Sequence, residues 1–129
     1  MNAAIDKAKL SLDRFTEAYS QRASKPAEFF LKKPYPTPEG GDEHVWITVT
    51  GTNSHGFAGI VNNDVEHSKK VRLGDTVVVH PREVSDWFFV RDHVVHGAYT
   101  IRVLLRHETA TERAEAIAHL GGTLAPENE

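Results

Sequence analysis

Seven side chains, Glu43, His44, Trp46, Asn63, Asp86, Trp87 and Arg102, bring together residue types that recognise or transform a ligand. Ser85-Asp86-Trp87 sets a carboxylate beside a tryptophan, and Glu43-His44-Val45-Trp46 sets a carboxylate and an imidazole beside another. An imidazole or carboxylate can take a proton, a guanidinium can clamp an anion with two parallel N–H groups, and an exposed indole can anchor a partner. With His44 or Asp86 as base and Arg102 as anion clamp, these residues would make a small hydrolytic or acid–base enzyme. Without a complete catalytic constellation, they make a binding surface. Strand neighbours point to opposite faces, so Glu43 and His44 cannot work side by side unless a bulge re-aims one.

Each feature also has a structural explanation. Arg102 paired with Asp86 or Glu43 would hold adjacent strands in register, and breaking such a half-buried pair costs about 3–5 kcal/mol. Trp46 reads as core, whereas Trp87 suits core or ligand anchor equally. His93 and His96 form an HxxH pair around a loop rather than on a helix, and no HExxH accompanies them, so neither a metal nor a cofactor is expected. His44, His55 and His80 could converge only through tertiary folding. There is no GxGxxG and no GxxxxGK[ST], and Ser54, Ser68 and Ser85 lie outside any GxSxG elbow.

Composition narrows the classes. The chain has 129 residues, 40 % of them hydrophobic and 26 % charged, which suits one folded domain and not a disordered segment. Its net charge of -3 disfavours general nucleic-acid binding. With no cysteine, disulfides, thiolate nucleophiles and Cys-based zinc sites are excluded. Charges through Met1–Tyr19 leave no signal-peptide core, and no apolar run approaches a membrane span, so a cytoplasmic address is expected.

The elements that must position these residues can be read in order. Ile5, Ala8, Leu12, Phe15 and Tyr19 recur at helical spacing, which predicts one helix from about Ala3 to Arg22, packed on the body. Ala27 to Lys32 is extended, and Pro34, Pro36, Pro38 and Gly40-Gly41 predict a surface connection outside any sheet. A strand over His44–Thr52, a turn, and a strand over Phe57–Asn62 make a hairpin, followed by a polar loop to Lys70. Further strands are predicted over Thr76–His80, Val84–Arg91 and Ala98–Arg106. A helix from Thr109 to Leu120, capped by Thr109 or Thr111, has small apolar residues that imply shallow packing, and Ala125–Glu129 should fray.

The expected architecture is therefore α+β: a small, curved antiparallel sheet, partly barrel-like with an SH3-like pattern, and a helix at each end. It divides into an amphipathic helix at 1–24, a β-rich core at 27–107, and a helix with frayed tail at 108–129.

Six pieces in register carry a family resemblance: Phe29-Phe30-Leu31-Lys32, Glu43-His44-Val45-Trp46, Gly59-Ile60-Val61-Asn62-Asn63, Gly74-Asp75-Thr76-Val77, Ser85-Asp86-Trp87 and Tyr99-Thr100-Ile101-Arg102-Val103. Together they resemble the bacterial family catalogued as domain of unknown function 2314, over roughly Ala27 to Arg106. Val65 stands where the family pattern usually has proline, which changes the expected shape of that loop. The resemblance implies a small bacterial protein and brings no activity and no residue roles with it.

The leading expectation is a cofactor-free binding module, immunity-like or regulatory, that docks a protein partner or small ligand through Glu43, His44, Trp46, Asn63, Asp86, Trp87 and Arg102. The alternatives are the acid–base enzyme and a homodimer formed through the N-terminal helix.

Overall fold

The computed structural model describes residues 2–127. These hold four helices and seven strands, an α+β architecture with helices towards both ends of the chain. They group into two compact units: Phe30–Ser85, and a second that combines the chain before and after that stretch.

The first unit is antiparallel throughout. Strands β1 (Glu28–Pro36), β2 (Asp42–Asn53), β3 (Gly56–Val61) and β4 (Thr76–Val79) stand in the order β4-β3-β2-β1. Period-two alternation sends Leu31, Val45, Ile47, Val61 and Val79 to one face, where all are buried. Each such burial stabilises by about 1.5–3 kcal/mol. A register shift between Val49 and Gly51 bends β2 before the expected hairpin, where Asn53 Oδ1 accepts from the His55 amide at 2.8 Å.

Pro34 and Pro36 lie within β1, not in a surface connection. Alternate residues turn their backbone groups to the same strand edge. The Lys32 carbonyl accepts from the Ser85 amide at 2.8 Å, so the even-numbered groups face away from β2. Both prolines therefore withhold donors from that edge, and the ladder to β2 runs through their odd-numbered neighbours.

The second unit holds α1 (Asn2–Leu10), α2 (Leu12–Ser20), β5 (Asp86–Arg91), β6 (Val94–Gly97), α3 (Tyr99–Leu105), α4 (Ala110–Leu120) and β7 (Thr123–Leu124). The expected single N-terminal helix breaks at Ser11, whose hydroxyl donates to the Lys7 carbonyl at 2.6 Å and whose ψ of 6° leaves the helical range. Phe15 and Tyr19 are buried against Phe29, with ring centroids 5.5 and 5.0 Å apart. Phe29 in turn lies 5.6 Å from Phe89.

Two expectations fail here. Tyr99–Leu105 is a helix, although Ala98–Arg106 has a β-like composition. The tail does not fray at Ala125, which is buried and donates its amide to the Val95 carbonyl at 2.8 Å. Leu124 pairs with Val95 in a parallel β6–β7 contact; Asn128 and Glu129 lie outside the described residues. Helix α4 does pack shallowly, with no buried residue, and Thr109 supplies its capping box. Neither set of strands closes on itself, so the sheet is open rather than a barrel.

Candidate functional site

Within the first unit, Glu43 and His44 face opposite sides, as strand geometry requires. The Glu43 carboxylate accepts from the amides of Glu66, His67 and Ser68 at 2.9, 2.8 and 2.8 Å. These bonds, led by that of Glu66, hold its pKa below the ordinary value. Asn63 Oδ1 accepts from the Trp46 amide at 2.6 Å, and its Nδ2 donates to the Asp64 carbonyl at 2.8 Å. Glu43 and Asn63 thus fasten the polar loop after β3 to the start of β2. Their geometry explains their place in the sequence pattern without a ligand.

His44 makes a contact the sequence did not reveal: Nδ1 lies 3.0 Å from Ser85 Oγ. Partial desolvation of the ring, then the nearby Lys32 ammonium, lowers its pKa, so the neutral imidazole is favoured. Ser85 is only 3 % exposed, and its hydroxyl lies 3.3 Å from the Lys32 carbonyl. A serine and an imidazole in contact can begin nucleophilic chemistry. Here the oxygen that would attack is shielded from solvent.

On the same face as His44 stand Phe30, Lys32, Trp46, Thr48, Ala58, Ile60 and Val78, by strand register. Ile60 is 42 % and Val78 43 % exposed, while Trp46 and Phe30 are half-buried. The Lys32 ammonium sits 5.2 Å from the centre of the Trp46 ring. Trp46 is therefore not the core residue its strand suggested.

In the second unit, Asp86 is completely buried. Its Oδ1 accepts from the amides of Trp87 and Tyr99 at 2.8 and 3.1 Å, and its Oδ2 from the Thr100 amide and hydroxyl at 2.9 and 2.5 Å. A carboxylate among the first amides of α3 satisfies donors that have no partner within the helix. Asp86 is thus a capping group held in the core, poorly placed to act as a base. Ala98, in the left-handed region at φ 57°, starts that helix without a side-chain cap of its own.

Trp87 is completely buried, with Nε1 donating to the Ala8 carbonyl at 3.1 Å and lying 3.2 Å from Ser11 Oγ. It is core, not a ligand anchor. Arg102 lies on α3, so an Arg102–Asp86 pair locking two strands together is not how it is held. Its Nε donates to the Gly97 carbonyl at 2.8 Å, and burial lowers its pKa somewhat. Arg102 helps to line a pocket in this unit together with Arg106 and Arg113, which sequence reasoning missed. Arg102 and Arg106 are four apart, a spacing that signals one face only once the segment is known to be helical.

Among the described residues, no group of three or more His, Asp or Glu side chains is placed to hold a metal ion. His93 sits in the β5–β6 turn at φ 63°, whereas the His96 ring stacks on Phe89 at 4.7 Å. No helix among the described residues is long and apolar enough to cross a membrane.

Comparison with known proteins places this geometry in a lineage. The sequence profile of the family described as "Uncharacterized protein conserved in bacteria (DUF2314)" matches residues 1–122. The chain belongs to this family. The DUF2314 match takes in both flanking helical regions, beyond the Ala27–Arg106 span of the sequence resemblance. The chain is 31 % identical over 105 residues to the uncharacterized protein YegJ of Escherichia coli (strain K12), covering 81 % of this chain and 67 % of that protein. It is 32 % identical over 79 residues to a putative ankyrin repeat protein of Neisseria meningitidis serogroup B, covering 61 % of this chain and 31 % of that protein. No solved structure matches the chain.

Proposed function

We propose that this chain is a non-catalytic binding module that docks a protein partner on the outer face of its four-stranded unit. The carrying observation is the exposure of Ile60 and Val78 on a face shared with half-buried Trp46 and Phe30. An apolar centre with an aromatic anchor, edged by Lys32 and His44, is the pattern of a protein-docking patch. The engagement of Asp86 by the helix amides supports a binding role over an acid–base one. The name of the Neisseria relative adds a context, because repeat proteins of that kind present surfaces for binding.

The test uses surface substitutions, since Asp86 and Trp87 are too deeply built into the fold to report on binding. Tagged wild-type chain and an Ile60→Asp, Val78→Asp variant are compared as baits in an extract of the native host, after circular dichroism has matched their folds. A protein retained by wild type and lost by the variant is expected. Equal capture by both, or capture by neither, removes this face from consideration.

With Asp86 engaged as a helix cap, an enzymatic reading has to start instead from the His44–Ser85 contact at 3.0 Å. It requires a turnover, with any ester or phosphoester probe, that Ser85→Ala abolishes.

A further inference from the structure

The chain's own tail occupies a site on the second unit. After α4, Gly121 takes φ +109°, and Gly122 passes so close to His93 that a Cβ there would meet its carbonyl oxygen at 1.9 Å. Thr123 and Ala125 then donate their amides to the carbonyls of His93 and Val95 at 3.0 and 2.8 Å, adding a short parallel strand to β6. Beyond it, Leu124 and Glu127 help to line a pocket of about 260 Å³ with Arg102, Leu105, Arg106 and Arg113.

Cations and carboxylate are unequally matched there. Glu127 approaches Arg106 Nη2 at 3.6 Å and Lys7 Nζ at 3.4 Å, long contacts between partly exposed groups that hold a tail only weakly. Arg113 has its Nε on the Leu105 carbonyl at 3.0 Å and its Nη2 on the Glu108 carbonyl at 3.3 Å. The half-buried Arg102 is aimed by its Nε bond to the Gly97 carbonyl, and the Glu127 charge acts on it as well. A rigid guanidinium fork oriented through its Nε suits two-pronged binding of a carboxylate at its outer nitrogens.

We propose that this pocket and the β6 edge form a docking site for an extended acidic peptide of another protein, which displaces the chain's own tail. The tail is the template for its occupant: an apolar residue, as at Leu124, followed three positions later by a carboxylate, as at Glu127. Backbone bonds to β6 supply the general affinity of strand addition, and the arginine pocket selects the acidic side chain. A competing peptide has to replace the backbone bonds of Thr123 and Ala125, the burial of Ala125 and the weak ion pairs of Glu127. This surface is separate from the sheet face proposed above, so either can fail alone.

The test titrates a fluorescent, acetylated and amidated peptide of residues 122–127 (GTLAPE) into the full-length chain, read by anisotropy. Glu127→Gln should bind the peptide about two- to fivefold more tightly than wild type, because its own tail competes less well. A peptide with Gln in place of the Glu should lose at least about tenfold, and Arg102→Gln in the Glu127→Gln chain should lose a similar factor. Arg106→Gln, at a more exposed position, serves as a second probe should the Arg102 variant not fold. Absence of binding to the Glu127→Gln chain, or equal binding of the Glu and Gln peptides, overturns the proposal. Full competition by inorganic phosphate at equal concentration does so too, by reducing the site to a general anion pocket. A concentration-dependent dimer of the Glu127→Gln chain that excludes peptide assigns the site to a second copy's tail and overturns the foreign-peptide reading.

Discussion

Thr100 grips Asp86 twice, with its amide at 2.9 Å and its hydroxyl at 2.5 Å from the same carboxylate oxygen. The start of β5 thereby caps the start of α3, fourteen residues later, and a residue that reads as a catalytic acid becomes a helix anchor.

Replacing Asp86 with alanine leaves the amides of Trp87, Tyr99 and Thr100 without this acceptor in the core. A loss of about 3 kcal/mol or more is expected by urea denaturation. Asp86→Asn keeps one acceptor oxygen and should lose roughly half as much. Equal stability of wild type and the alanine variant would remove the capping role.

Gly97 has φ +86°, and a Cβ there would lie 2.5 Å from the Trp87 ring and carbonyl. Gly97→Ala should cost about 3 kcal/mol, combining backbone strain with overpacking. Gly40→Ala shares the positive φ at +92° but meets nothing, so it should cost only about 1 kcal/mol. Thermal unfolding of the two variants separates the contact from the strain.

The Glu43 pKa is depressed by the loop amides, so its stabilising effect is present above the ordinary carboxylate value of 4.5 and is lost as the pH falls through the lower native value. Amide proton shifts of Glu66, His67 and Ser68 should move together over that acid range. In Glu43→Gln they should already be displaced at neutral pH and stay flat on acidification.

For His44 the native pKa is also lowered, here by partial desolvation and Lys32. The contribution is therefore present above the ordinary value of 6.5 and declines as the pH falls towards the native value, since the unfolded chain binds the proton first. Tm measured between about pH 5 and 8 should fall on acidification more steeply in wild type than in His44→Gln. Parallel curves would mean that the ring titrates alike in both states.

How legible the candidate site was depended on its strand context. The alternation through Val45, Ile47 and Val49 revealed a buried face and put Glu43 and His44 on opposite sides, because side-chain direction in a strand follows parity alone. The same rule misled at Tyr99–Leu105, whose β-branched and aromatic residues suit a strand. There the Asp86 carboxylate and the left-handed Ala98 stabilise a helical start that local propensity does not favour. Trp46 left the core expected for it, and Trp87, open to either place, took one there, for a related reason. Whether an indole is core depends on what packs above it, and Ala8 and Ser11 lie more than seventy residues from Trp87.

By itself the sequence determined the α+β class, the β2–β3 hairpin, the capped helix α4 and membership of a bacterial family. Each rests on short-range periodicity, turn chemistry or ordered motifs, which are written in neighbouring residues. Only the tertiary structure decided that Asp86 caps a helix, that His44 meets Ser85, and that the tail returns to an arginine pocket. Those contacts join residues far apart in the chain. Burial and hydrogen-bond satisfaction, which select among them, arise only once the chain has folded.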